Sequence, residues 1–334
     1  MNRTTPRRAQ LVGATCLALV LAACSSGDGG GGSDGDLTIG FAMPDASVTY
    51  WTAYVNGVEE KAEELGVSVT FTDARNDTNT QFEQVNSLLV SGVDGIVLPP
   101  VDTTSLLGAA TAAEDAGVPL ITSNRALETT YGGVDGASPK IHVGFNDVEI
   151  GRQQGEMVVN ACEGIDPCKV ALLMQPLGST PQIERTSGFK EVVAAIPSIT
   201  IVAEQSDNLD ANTAMELTRT IVQQNPDLTL IASQYDDTAV AAAQAVGEAG
   251  LADTIDVYGI GGSKSGVEAI VDGTLAGTVW VSPRTDGADA LEALVAILRG
   301  EEVAGIEEIN GRPTLPVGLV QVTQENAADY PGEW

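Results

Sequence analysis

Residues 95–123 read GIVLPPVDTTSLLGAATAAEDAGVPLITS, one full cycle of the pattern that organises the chain. Residues 95–99 form a short apolar run, 105–116 carry alanine and leucine at helical spacing, and 120–123 are a second apolar run. The same alternation continues in both directions. Upstream, 37–42 is β-prone, and Trp51, Tyr54, Val55, Val58, Ala62 and Leu65 make one apolar stripe on a helix, with Gly66 placed as a left-handed cap. A strand at 67–71 and a helix at 82–90 complete that half. Downstream, strands are predicted at 142–145, 170–174, 199–203, 228–232, 255–260 and 278–281. Helices are predicted at 189–196, 214–223, 237–248 and 288–298. Apolar strands alternating with amphipathic helices imply parallel sheets covered on both faces. The predicted fold class is α/β, built as two doubly wound parallel-sheet domains.

Before this body lies a different kind of sequence. Arg3, Arg7 and Arg8 precede an apolar segment at 11–22, of a length suited to an export signal and short for a membrane span. Leu21-Ala22-Ala23-Cys24 then resembles the lipobox of bacterial lipoproteins, a resemblance that implies acylation of Cys24 and attachment to the membrane surface. The alternative is an ordinary signal peptide with an incidental cysteine. Residues 25–36, SSGDGGGGSDGD, have nothing apolar to bury and read as a flexible tether.

The formal charge is -30, with 16 basic and 46 acidic residues. Removing residues 1–23, which carry three arginines and no acid, takes it to -33. Nucleic acid binding needs clustered lysine and arginine, so that class of partner is excluded. Cys162 and Cys168 flank a turn-rich segment and are expected to form a local disulfide in an oxidising exterior. The alternative, a metal site, is poorly served by two cysteines and the single histidine.

Ligands of doubly wound sheets collect beyond the carboxyl ends of the strands. The loops there, at 43–50, 73–78, 99–103, 123–126, 146–148, 175–185, 234–237, 261–265 and 281–285, contain Arg125, Arg185 and Arg284 with Tyr50, Trp51, Tyr235 and Trp280 nearby. Guanidinium forks and aromatic faces suit a ring bearing several hydroxyls. Catalytic arrangements are missing. His142 starts a predicted strand and reads as structural, residues 259–265 lack the phosphate-loop spacing, the first strand leads into no glycine cluster, and Asp236-Asp237 reads as a helix cap. No enzyme activity, cofactor or metal is expected.

Several segments together resemble the type I solute-binding proteins of sugar ABC transporters, the ribose-binding protein group, over residues 37–323. They are Leu37-Thr-Ile-Gly-Phe-Ala, Glu63-Glu-Leu-Gly66, Gly95-Ile-Val-Leu-Pro-Pro100, Gly117-Val-Pro-Leu-Ile-Thr-Ser-Asn-Arg125, Glu184-Arg-Thr-Ser-Gly-Phe189 and Val257-Tyr-Gly-Ile-Gly-Gly262. The resemblance implies a two-lobed clamp with three crossovers, near Asn146, Val281 and Pro313. The lobes would be 37–145 plus 282–312 and 146–281 plus 313–334. It also implies delivery of a small ligand to an ABC permease, or display of the closed form to a sensor kinase or chemoreceptor, by a monomer on the extracytoplasmic face. The site would use Asn124, Arg125, Arg185 and Asp236 as polar contacts. Tyr50 and Trp51 would stack on the ligand, Trp280 would be a further stacking candidate, and Tyr235 stands where the ribose binder has asparagine. Two departures point away from ribose itself: Gly261 replaces a hydroxyl-binding aspartate and Val281 replaces the hinge glutamine. The acidic tail after 318–323 is expected on the surface, with no function.

Overall fold

The computed structural model describes residues 37–334; the expected export signal, the expected tether and Cys24 lie outside the described residues. The chain opens with β1 (Thr38–Met43), α1 (Thr49–Leu65), β2 (Ser68–Asp73), α2 (Thr78–Ser91), β3 (Gly95–Leu98), α3 (Leu107–Ala116), β4 (Leu120–Ser123) and β5 (His142–Gly144). The next stretch holds α4 (Asp147–Ala161), β6 (Cys168–Met174), α5 (Thr180–Val193), β7 (Ile199–Ser206) and α6 (Ala211–Gln224). It continues through β8 (Leu230–Ser233), α7 (Asp236–Glu248), β9 (Asp256–Gly261), α8 (Lys264–Val271) and β10 (Gly277–Trp280). The last part comprises α9 (Pro283–Arg299), β11 (Glu307–Ile309), β12 (Arg312–Pro316) and β13 (Val320–Thr323).

These strands form a seven-stranded sheet in the order β11-β12-β5-β4-β3-β1-β2 and a six-stranded sheet in the order β13-β10-β9-β8-β6-β7. Pairing is parallel except where β11 meets β12 and β13 meets β10. The chain leaves the first sheet after Gly144, returns after Trp280 and leaves again after Pro316. The last crossing thus falls at 317–319 and not near Pro313, because β12 pairs with β5, Thr314 opposite His142 and Pro316 opposite Gly144.

Side-chain alternation on β1 explains the two-sided core. Ile39, Phe41 and Met43 face α1 and α9 and pack with Tyr54, Val58, Leu291 and Leu294. Ala42 faces the other side with Ile96, Leu98, Val85 and Leu106. The second sheet repeats the scheme, with Ala171, Leu173 and Ile231 toward α6 and α7 and Val170, Leu172 and Leu230 toward Phe189 of α5. Each fully buried side chain of this size stabilises by about 1.5–3 kcal/mol. Gly66, at φ +67°, ends α1 in the left-handed region as the sequence predicts. Cys162 and Cys168 are joined in a disulfide, Cα atoms 5.7 Å apart, which ties the end of α4 to the start of β6.

Candidate functional site

The carboxyl ends of both sheets carry the residues singled out by sequence. From the first sheet come Tyr50 at the start of α1 and Asn124 and Arg125 after β4. Asn124 adopts φ +62°, a conformation asparagine tolerates. Its amide donates to the Tyr50 hydroxyl at 2.8 Å and to Asp286 Oδ2 at 3.2 Å. Tyr50 donates to the same Asp286 oxygen at 3.1 Å. Ser123 Oγ donates to Asp286 Oδ1 at 3.0 Å, and the Tyr54 hydroxyl donates to Ser123 Oγ at 2.8 Å. Asp286, in the first turn of α9, is therefore the hub of the network, and it was not singled out in the sequence. A carboxylate at a helix start has a capping role available to it, so nothing local marks this one as different. Burial pushes its carboxyl up to about 7, against the lowering effect of the donors around it.

Arg125 is exposed, and the only hydrogen bond of its side chain among the described residues is a long one of 3.4 Å from Nη1 to the Val101 carbonyl. Its remaining N–H groups are free for an acceptor. Arg185, from α5, is positioned more tightly. Its Nε donates to Asp147 Oδ1 at 2.7 Å and its Nη1 to the Gln234 carbonyl at 3.1 Å. Glycines set its height. A Cβ on Gly151 would lie 2.0 Å from the Arg185 carbonyl oxygen, and one on Gly188 would lie 2.0 Å from that of Val148, so α4 and α5 touch backbone to backbone. Arg284 turns away from the cleft and pairs with Glu60.

Three other candidates take different positions from those expected. Trp51 is buried in the core of the first sheet, packing edge-on against Tyr50 and Tyr54, and so supports Tyr50. Asp236 is fully buried, and its carboxylate accepts from Gly262 N at 2.6 Å, Ser263 N at 3.0 Å and Thr278 Oγ1 at 2.7 Å. Those bonds fasten the loop before α8 to β10 and leave no oxygen facing the cleft. Burial nevertheless raises its carboxyl to about 6. Trp280 packs edge-on against Tyr330, and its Nε1 donates to the Pro331 carbonyl at 3.4 Å.

The tail is not at the surface in the way its acidity suggests. Glu333 accepts from Ser282 Oγ at 2.9 Å and from the Arg284 backbone N–H at 3.1 Å, and the Lys264 N–H donates to the Trp334 carbonyl at 2.8 Å. These bonds lay Trp334 between the sheets. Its ring stacks on Tyr235, with centroids 5.7 Å apart, and meets Tyr50 edge-on at 6.0 Å. Tyr235 is itself pushed up to about 12, chiefly by burial. Gly261 lies under this ring: a Cβ there would be 2.9 Å from Asp236 Oδ2 and 3.3 Å from Trp334 Cζ2. Val281 packs into a small core with Ile150, Met157, Ile260 and Val279. On another side, Asn310 in the turn before β12 donates to Glu184 of α5 at 2.9 Å, a second polar link between the two halves.

His142 is buried, bonded through Nδ1 to Thr122 Oγ1 at 3.0 Å, and burial lowers it to about 3, so it stays neutral. Among the described residues no group of three His, Cys, Asp or Glu side chains is arranged to hold a metal ion, and no helix is long and apolar enough to cross a membrane. The cleft offers hydrogen-bond donors and aromatic faces, which is the equipment of a binding site.

Comparison with known proteins agrees with this architecture. The chain is 29% identical to a xylitol-binding protein of Mycolicibacterium smegmatis, an alignment covering 96% of this chain and 94% of the relative. It is 27% identical to the ribose import binding protein RbsB of Bacillus subtilis, covering 81% and 85% of the two chains. Among solved structures, an ABC transporter solute-binding protein from Bacillus halodurans with bound myo-inositol superposes with a TM-score of 0.73 at 26% identity, over 91% of this chain and all of that one. Residues 39–302 match the sequence signature of the periplasmic binding protein domain, and the chain belongs to that family of extracytoplasmic solute-binding proteins.

Proposed function

We propose that this protein captures a neutral polyhydroxy molecule, a sugar or polyol, in the cleft between its two sheets and delivers it to an ABC importer. The observation that carries the reading is the placing of Arg125 and Arg185 at the carboxyl ends of opposite sheets, with the aromatic rings of Tyr50 and Tyr235 in the same cleft. Arg185 is already balanced by Asp147, and the Asp286 carboxyl is held toward its neutral form, so these donors suit hydroxyls better than a strongly anionic group. Relatives named for xylitol, ribose import and myo-inositol support the same ligand class. The word import in the names of the ribose relatives favours transport over presentation to a sensor kinase or chemoreceptor. The work of such a protein is binding and release, without turnover. In the same reading the protein is a monomer anchored at the membrane surface by acylated Cys24.

A thermal-shift screen of the full chain against xylitol, myo-inositol, D-ribose, hexoses and amino acids tests the ligand class. A ligand present at a hundred times its dissociation constant stabilises a fold by about 2.7 kcal/mol, a readily measured shift. The expected result is a shift from a polyol or sugar that disappears in Arg125→Ala and in Arg185→Ala. A shift from amino acids alone would overturn the assignment.

A further inference from the structure

The sequence poses a problem that the structure answers. The resemblance implies a hydroxyl-binding aspartate where this chain has Gly261, so another group must define that wall of the cleft. The space above Gly261 is taken by the Trp334 ring, whose Cζ2 lies 3.3 Å from where a Cβ on Gly261 would be. An aspartate there would be crowded, because its Cβ would lie 2.9 Å from Asp236 Oδ2 and bring a second carboxylate against a buried one. Gly261 thus leaves room for both the Asp236 carboxylate and the Trp334 ring.

Trp334 is held in place from both halves of the molecule. Its carbonyl is bonded by Lys264 N, at the start of α8, while the adjacent Glu333 is bonded by Ser282 and by the Arg284 N–H at the start of α9. Gly332 packs so closely on Lys264 that a Cβ would lie 2.4 Å from its Cα. One polar atom remains unanswered. Trp334 Nε1 is buried, yet no acceptor among the described residues bonds it. Leaving a buried donor without a partner is costly, and a ligand oxygen arriving beside the ring that Tyr235 and Tyr50 flank would satisfy it.

We propose that Trp334 is a ligand-contacting, specificity-determining residue: its indole replaces the aspartate of the sugar-binding pattern with an N–H donor and a flat apolar face. This rests on the proposed binding of a polyol or sugar and deepens it. The polarity of the wall is inverted. A carboxylate can only accept from a hydroxyl, whereas the indole donates to an oxygen and packs against C–H groups, which suits a ligand presenting an acceptor oxygen beside an apolar ring or chain face.

Isothermal titration calorimetry and tryptophan emission, using the full chain with xylitol, myo-inositol and D-ribose as probes, test the assignment. Trp334→Phe keeps a ring and removes the donor, and Trp334→Ala removes both; circular dichroism checks that each is folded. For the probe that binds the unaltered chain, Trp334→Phe should weaken binding by roughly three- to tenfold, the worth of one hydrogen bond. Trp334→Ala should weaken it by more than about tenfold, as donor and aromatic contact go together. The emission change on ligand addition should disappear in Trp334→Phe although Trp51 and Trp280 remain. Binding by both variants as tight as that of the unaltered chain, or tighter, overturns the proposal, since a residue that merely covers an empty cleft would compete with ligand. If the unaltered chain binds a probe and Arg125→Ala abolishes that binding while Trp334→Phe does not change it, only the role of Trp334 fails. If the unaltered chain binds none of the probes, the ligand class fails and this role with it.

Discussion

At the scale of single residues, the balance between burial and hydrogen bonding at Asp286 sets a measurable property. The carboxyl is pushed up to about 7 by burial, while Asn124, Ser123 and Tyr50 pull in the opposite direction. In the unfolded chain an aspartate titrates near 3.8. Between about pH 4 and pH 7 the folded state therefore retains a proton that the unfolded state has released. The contribution of this group to stability is present below pH 4 and is lost as pH rises through about 7. Asp236 and Asp289, each raised to about 6 by burial, act in the same direction. Melting temperature should accordingly fall between pH 5 and pH 8, and Asp286→Asn should flatten that fall, because the amide occupies the same network without a proton to lose. An unchanged slope in Asp286→Asn would show that Asp286 does not titrate in this range.

At the scale of elements, both halves solve the same problem with the same device. In the first, a Cβ on Gly57 of α1 would lie 2.0 Å from the Arg284 carbonyl oxygen, and one on Gly287 of α9 would lie 2.4 Å from that of Tyr54. In the second, Gly151 and Gly188 bring α4 and α5 equally close. These contacts fix the helix starts that carry Tyr50, Asp286 and Arg185. Gly57→Ala should destabilise the protein by about 1–3 kcal/mol in urea denaturation, the usual cost of overpacking. Gly151→Ala should do the same and also weaken ligand binding, since it displaces the Arg185 backbone; a fully stable Gly151→Ala chain with unchanged affinity would contradict the account.

The alternation of strand and helix was legible because each buried strand is a short apolar run, and the β-α-β cycle at 95–123 appears almost as read, with β3 at Gly95–Leu98 and β4 at Leu120–Ser123. The start of α5 was not, because its apolar stripe begins near Phe189 while the helix starts at Thr180 under Pro181. The hairpin of β11 and β12 was missed through its charged strand, although Asn310 and Gly311, both at positive φ, are a turn signal present in the sequence. Tyr50, Asn124, Arg125, Arg185 and Tyr235 are singled out by the rule that ligands gather at strand ends, and in the structure they lie beside the carboxyl ends of the sheets. The positions of Asp286 and Trp334 are not legible, because their contacts come from segments far away in sequence: Asp286 bonds to Ser123 and Asn124, and Trp334 meets Tyr50 and Tyr235. The burial of Asp236 and Trp51 is not legible, because sequence shows which loop a side chain leaves from and not which way it points.

At the scale of the whole molecule, the two sheets are joined by three short crossings, and among the described residues the links across the cleft include polar and aromatic ones, through Asn310 to Glu184 and through residues 333 and 334. Such links can open and close without disturbing either core, and a ligand that contacts both sides shifts the balance toward closure. The charge of -30 keeps the body soluble, and attachment through Cys24 would hold it near a membrane partner. Cells fed an alkyne-tagged fatty acid should label the chain, and Cys24→Ala should not be labelled; labelling of the variant would contradict the anchor.

The central claim, closure of two lobes around a polyol or sugar, is tested most directly by measuring the distance across the cleft. Spin labels on Glu128→Cys, after β4, and Leu177→Cys, before α5, report from exposed positions on opposite lobes. With a ligand that gives a thermal shift present at saturation, double electron–electron resonance should show a shorter and narrower distance distribution than without it. A distribution unchanged by a bound ligand would mean that the cleft between the sheets is not where this protein holds its solute.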